Sequence, residues 1–188
     1  LDTRNTRKTY SKYIFTQLMF FDDRPRIKLT KTKLDIFLEY LAFGLLVVST
    51  VYAIYHYGNL PEKIPMHFNL KGEVNRYDSK DSIWIINLIG FAVVYVMYYL
   101  TKFPHTFNYP QKITPENAEK FYSDAVKMMR YTNAAMGLLF ALITFEIVQI
   151  ALSNSLAMLP VVTGIIITIV VVITVVPIIY LIKNFKKH

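Results

Sequence analysis

The side chains able to do chemistry fall in two places. His67, Asn69, Glu73 and Lys80 share one polar stretch, residues 58–81, flanked by long apolar runs. Glu146 and Gln149 lie inside a later apolar run, three positions apart and so on one face of a helix. Imidazole, amide, carboxylate and ammonium groups can hold a polar ligand by hydrogen bonds, and His with Glu can ligate a metal. No third ligand stands at a diagnostic spacing, so no metal site is expected. His67 and Asn69 can equally satisfy backbone groups of their own loop. Catalytic motifs are missing: the chain has no His-Glu-x-x-His, no phosphate loop, no Gly-x-Ser-x-Gly and no cysteine. His56, His67, His105 and His188 fall in different segments and suggest no haem pair. The expectation is a protein that is not an enzyme, with no catalytic residues and no cofactor.

The elements that must position these groups are set by hydropathy. Of the 188 residues, 54% are hydrophobic, high for a soluble domain. A span needs about 20 apolar residues. Leu34–Tyr57, Ser82–Thr101, Tyr131–Leu152 and Ala157–Ile182 each supply them. The last is rich in Ile, Val and Thr, yet a strand over Ile165–Val176 is rejected, because an open strand cannot span lipid. The fold class expected is an all-α membrane protein of four transmembrane helices, with a small external β-hairpin loop and a cytoplasmic amphipathic helix. Residues 1–33 form a basic, aromatic N-terminal segment, 34–182 the transmembrane domain and 183–188 a basic tail. That long basic segment before the first span does not have the form of a secretory signal.

Charge orients the spans. All 21 Lys and Arg fall in residues 1–33, 58–81, 102–130 and 183–188. Residues 1–33 carry nine basic against three acidic residues, and 102–130 carry five against three; 58–81 carry four of each. The positive-inside rule then places both termini and the 102–130 loop in the cytoplasm, and 58–81 outside. Basic composition alone can indicate nucleic acid, but no nucleic-acid fold motif is present and the basic blocks flank spans, so nucleic acid is not expected. The lipid bilayer is the first partner.

Ile64, Met66, Phe68 and Leu70 alternate with polar residues or Pro65, a strand period. Asn69-Leu70-Lys71-Gly72 fits a type I turn closed by a left-handed glycine. A hairpin is therefore expected to lie over the external helix ends, because alone it would be marginal. Glu146 sits six residues before the outer end of its span. An intramembrane carboxyl is a functional candidate by default. With Gln149 it is expected to face an outward polar pocket under the hairpin, with His56, His67 or Lys80 as partner; the alternative is a protonated Glu146 hydrogen-bonded between helices. Asp35 and Glu39 lie in the first turns of span one, where the interface and the helix dipole accommodate them. Gly137 and Ala141 form a small-xxx-small pair that lets helices approach. Pro177 is expected to kink span four.

Leu60-Pro61 through Ile64-Pro65-Met66-His67-Phe68-Asn69, then Gly72-Glu73 and Ser79-Lys80, resembles the signature of a bacterial membrane family of unknown function. Asn108-Tyr109-Pro110 and Ile113-Thr114-Pro115-Glu116-Asn117-Ala118 resemble its second motif. That family forms the N-terminal part of SdpI-type immunity proteins. The resemblance implies a multi-pass protein of the bacterial cytoplasmic (inner) membrane. For the SdpI type it further implies protection against a secreted toxic peptide and signalling to a membrane-held repressor. His67, Asn69, Glu73, Lys80, Glu146 and Gln149 are the candidate ligand-binding residues, for an extracellular peptide or small ligand.

The cytoplasmic side offers partner surfaces. Thr114 can cap a helix whose first residue is Pro115. Ala118, Phe121, Tyr122, Ala125, Met128 and Met129 then recur at helical spacing, as on an amphipathic surface helix. Tyr10, Ile14, Leu18 and Phe21 give a second apolar stripe. With Phe121 and Tyr122 they are candidate contacts for lipid or for protein partners in the membrane. An accessory subunit of a larger membrane complex is the alternative function.

Overall fold

The computed structural model describes residues 24–69, 71–109, 111–155 and 160–185. The stripe of Tyr10, Ile14, Leu18 and Phe21 lies outside them. The order is helix α1 (Lys33–Tyr57), strands β1 (Lys63–Phe68) and β2 (Val74–Ser79), helix α2 (Ser82–Leu100), a 3-10 turn (Pro104–Thr106), helix α3 (Ala118–Ser153) and helix α4 (Pro160–Phe185). Among the described residues four helices are long and apolar enough to cross a membrane. A bilayer leaves the chain no alternative, since only a helix satisfies every backbone group within its own segment.

Helix α1 begins at a capping box. The Thr32 hydroxyl accepts from Asp35 N at 3.2 Å and the Asp35 carboxylate accepts from Thr32 N at 2.8 Å. Helix α3 ends at Asn154, in the left-handed region at φ 52°, a conformation Asn tolerates. Its 36 residues rise about 54 Å, well beyond one hydrocarbon core.

The start of α3 departs from the sequence expectation. The helix begins at Ala118, not Pro115. Asn117 Oδ1 accepts from Thr114 N at 2.9 Å, and Thr114 O accepts from Ala118 N at 2.9 Å. These bonds hold residues 115–117 as a turn before the helix. The Thr114 hydroxyl instead hydrogen-bonds Glu116, which holds that carboxyl below the usual range. Residues 118–130 are the first turns of the same helix that becomes the third span, with no separate element between.

Helices α1 and α3 run in the same direction, side by side, and form the centre. Their contact is set by Gly137: a Cβ there would lie 2.6 Å from Ala42 O and 2.9 Å from Ala42 Cα. Gly90 on α2 allows a similar approach, 3.0 Å from the Phe140 ring. Ala42, Leu46 and Val94 fill the space between, with Phe43, Phe91 and Phe140 packed round them. Thr50 donates to Asn87 Oδ1 at 2.9 Å and to Leu46 O at 2.7 Å, a polar tie from α1 to α2. Helix α4 lies on the outside. Val161, Ile167, Val171 and Val176 are each more than half exposed, as lipid-facing side chains should be.

Gly137→Ala is expected to push α1 from α3 at the Ala42 carbonyl, which belongs to the backbone and cannot swing away. The expected cost is about 1–3 kcal/mol, read as a lower unfolding temperature in detergent. Gly164→Ala, where an added Cβ meets nothing within 4 Å, is the control expected to leave that temperature unchanged.

Candidate functional site

The hairpin seats itself on the helix ends as its alternation requires. Ile64 is fully buried and Leu60 nearly so, against Ala53, Ile83, Ile147 and Val148. Tyr57, Met66, Phe68 and Trp84 close round them. Strand β1 thus faces the helices, and β2 lies outward, its central residues exposed. The strands pair from Lys63↔Ser79 to Phe68↔Val74, with irregular register on both sides of His67. Pro65 precedes the first of these shifts, and its missing N–H removes one rung of the ladder. The turn has Gly72 at φ 78°, as expected.

The candidate residues on the hairpin divide by what they already bind. Asn69 Oδ1 accepts from Lys71 N at 2.8 Å and Glu73 N at 3.0 Å, and its Nδ2 donates to Glu73 Oε2 at 2.7 Å. Asn69 and Glu73 are therefore the fastening of the turn. Lys80 clasps the hairpin base: its Nζ lies 2.8 Å from Glu62 Oε1 and 5.4 Å from the centre of the Tyr57 ring. The hydrogen bond to Glu62 raises the Lys80 pKa. His67 Nδ1 lies 2.6 Å from Asn75 Oδ1. An amide oxygen only accepts, so Nδ1 is the donor of this pair. His67 and Asn75 are exposed, as are Arg76 and Tyr77 beside them.

Glu146 is not part of this surface. It is wholly buried in α3, among Thr144, Ile147 and Val148, themselves buried. The outward-opening pocket expected at Glu146 is closed in this conformation, in which Glu146 has no exposed surface. Gln149, at the next turn, donates to the Tyr52 hydroxyl on α1. Tyr52 in turn meets the His56 ring, centroids 4.6 Å apart. The two halves of the expected site are thus a solvent-exposed hairpin face and a buried α1–α3 contact beneath it.

A second polar centre went unread in the sequence. Arg130 Nη1 lies 3.1 Å from Asp35 Oδ1 and its Nε 3.0 Å from Glu39 Oε1; Lys31 Nζ closes the cluster at 2.6 Å from Glu39 Oε2. The Arg130 side chain is only 8% exposed. Asp35 and Glu39, one helical turn apart on α1, form a fork for one guanidinium. Asp35 is thus held by the Thr32 cap and by Arg130, and Glu39 by Arg130 and Lys31.

At the same end, residues 24–29 fold back on the 104–109 loop. Arg24 Nη1 donates to His105 O at 3.0 Å and to Phe107 O at 2.6 Å, and its guanidinium lies 5.6 Å from the centre of the Tyr109 ring. Burial pushes the Tyr109 phenol up, and burial with the Arg26 and Arg24 charges pushes His105 down. Ile27 and Leu29 cover Ile113, Ala118 and Tyr122. This corrects one expectation: Tyr122 is fully buried and is no surface for lipid or partner. Its occupant is the chain's own N-terminal segment. Phe121 is half-buried in the same cluster.

Residues 44–91 match a family model described as a domain of unknown function (DUF1648). The match runs from the middle of α1 through the whole hairpin into α2, the stretch that carries the first motif. No curated protein and no solved structure matches the chain. Among the described residues no three His, Asp or Glu side chains gather as a metal site would require.

Arg130→Met takes from buried Asp35 its cation and leaves Glu39 with Lys31 alone. It is expected to cost about 3–5 kcal/mol, measured by thermal unfolding in detergent. Adding Asp35→Asn and Glu39→Gln is expected to restore most of that loss, which a purely steric role for Arg130 would not allow.

Proposed function

We propose that this chain is a non-enzymatic membrane receptor of the immunity or signalling kind, which binds an extracellular peptide on its hairpin. The observation that carries this reading is the hairpin's seating. One strand is fixed to the helix ends by Ile64 and Leu60, while β2 faces outward with an exposed row of Asn75, Arg76 and Tyr77. In the described two-stranded sheet, β2 has a neighbour on one edge only. A peptide can add to such an edge by backbone hydrogen bonds, with alternate side chains giving selectivity. His67 Nε2 and Arg76 supply polar contacts beside it. The resemblance to SdpI-type proteins points the same way. Glu146 and Gln149 would then serve beneath the hairpin, holding its seat rather than touching the peptide.

The orientation belongs to this proposal. The basic segments, with Lys31 and Lys102 lying over the Tyr98 ring at 5.4 and 4.8 Å, would face the cytoplasm of a bacterial inner membrane, and the hairpin the outside. A second reading, an accessory subunit of a membrane complex, is favoured by α4, whose apolar surface meets little else in the described chain.

The chain has no cysteine, so single-cysteine variants report topology cleanly. Arg76→Cys in intact cells is expected to react with a membrane-impermeant maleimide, and Lys102→Cys only after lysis. A reversed pattern would put the hairpin in the cytoplasm and end the proposal. A photo-crosslinker at Tyr77 is expected to capture a secreted peptide from conditioned medium, while one at Val171 captures lipid. Capture of a membrane protein at Val171, with nothing at Tyr77, would favour the accessory subunit.

A further inference from the structure

At the end of the bundle opposite the hairpin two cavities share a wall. One, of about 230 Å³, lies between the end of α2, the 107–109 loop and the start of α3, and is walled by Met97, Phe107, Phe121 and Met129. The other, of about 470 Å³, lies between α3 and α4, walled by Ala135, Val172, Ile173 and Val176. Met128, Thr132 and Tyr180 line both. The walls are mostly apolar, with Asn108 and Thr132 among them; the charged side chains are Asp124 and Lys127, one turn apart on α3. The Tyr180 hydroxyl donates to Asp124 Oδ2 at 3.3 Å and holds that carboxylate at the cleft.

The cleft runs from headgroup level into one leaflet. From Asp124 to Ala135 the helix rises about 16 Å, roughly half of it beyond Arg130 and within the hydrocarbon core. The charged rim therefore lies at headgroup level when the Ala135 end reaches toward the midplane. Methionine thioethers adapt to irregular chains, and Met97, Met128 and Met129 are all present. The rim selects among headgroups. It offers a cation and an anion side by side, so an anionic headgroup would gain Lys127 but meet Asp124. A zwitterionic headgroup with its phosphate and ammonium two carbons apart can meet both. A primary ammonium can also donate hydrogen bonds to the carboxylate, which a quaternary one cannot.

We propose that this cleft is a binding site for one ethanolamine phospholipid, an acyl chain lying between α3 and α4, the phosphate on Lys127 and the ammonium on Asp124. The site is separate from the hairpin and holds whether or not the hairpin binds a peptide.

The test is reconstitution of the full chain in vesicles of equal parts dioleoyl phosphatidylethanolamine, phosphatidylglycerol and phosphatidylcholine, gentle extraction, and native mass spectrometry of the retained lipid. The ethanolamine lipid is expected to be retained about tenfold over each of the others, the worth of one charge-assisted hydrogen bond. Asp124→Asn with Lys127→Gln is expected to abolish that preference while lipid still binds. Ala135→Trp, which fills the cleft, is expected to lower retention of every lipid. Helix content by circular dichroism identifies misfolding; should Ala135→Trp misfold, Val176→Phe fills the same cleft from α4. Equal retention of the three headgroups by the unaltered protein would overturn the headgroup assignment. Undiminished retention in a folded cleft-filling variant would overturn the site.

Discussion

The approach of α1 to α3 at Gly137 is the constraint on which the rest of the structure depends. Inside a bilayer two helices gain little from hiding apolar side chains, since lipid is as apolar as they are; close backbone packing and polar ties must hold them. Gly137 supplies the first, with Ala42 O within 2.6 Å of where a Cβ would stand. The polar ties sit at the two ends of the same pair. Arg130 grips Asp35 and Glu39 at one end, and Gln149 donates to Tyr52 at the other. Between Arg130 and Gln149, α3 rises about 28 Å, close to the thickness of a hydrocarbon core. The ties therefore fall where the bilayer's polar boundaries lie, where their cost is least. The hairpin inherits its seat from this pair, because Ala53 of α1 and Ile147 and Val148 of α3 are the floor on which Ile64 rests.

What was legible in the sequence is what local pattern determines. The four spans follow from runs of apolar residues, and the helices begin and end within a few residues of them, except where α3 extends below its span. The hairpin follows from the alternation of Ile64, Met66 and Phe68 and from the glycine at position 72. What was not legible is pairing across distance. Arg130 stands among five basic residues of its loop and reads as a topology charge. Only its position at the mouth of the third span, level with two carboxylates a turn apart on the first, distinguishes it, and that level depends on knowing that α1 and α3 are neighbours. Tyr122 shows the same limit: its helical spacing with Phe121 is read correctly, but its cover is Ile27 and Leu29, almost a hundred residues away along the chain. Glu146 marks a different limit: hydropathy places a carboxyl along a helix but does not tell whether it opens to water or is enclosed, the two alternatives the sequence left open.

The hairpin's candidate residues show how a loop rich in polar groups can be mostly self-sufficient. Asn69, Glu73 and Lys80 spend their hydrogen bonds on the turn and the base of the hairpin. That makes the platform rigid, and rigidity lowers the ordering cost of any ligand that binds it. On the proposed reading, recognition would then fall to the outward row of β2 and to His67, a smaller set than chemistry alone suggests.

A receptor that signals also needs an element with two arrangements, and a ligand that favours one of them. The α1–α3 pair is a poor candidate, since backbone contact at Gly137 and the buried Arg130 cluster hold it in one arrangement. It is better suited to act as a beam, carrying the hairpin at one end and the N-terminal segment, clasped by Arg24, at the other. Helix α4 is the contrasting element: it packs loosely on α3, contains Pro177 and borders an apolar cleft. A change in what fills that cleft would alter the α3–α4 contact while leaving the spine intact. Helix α4 is thus the span with the least of its surface buried in the described chain. On the receptor reading proposed above, a signal from the hairpin would reach it through α3, the helix that touches both.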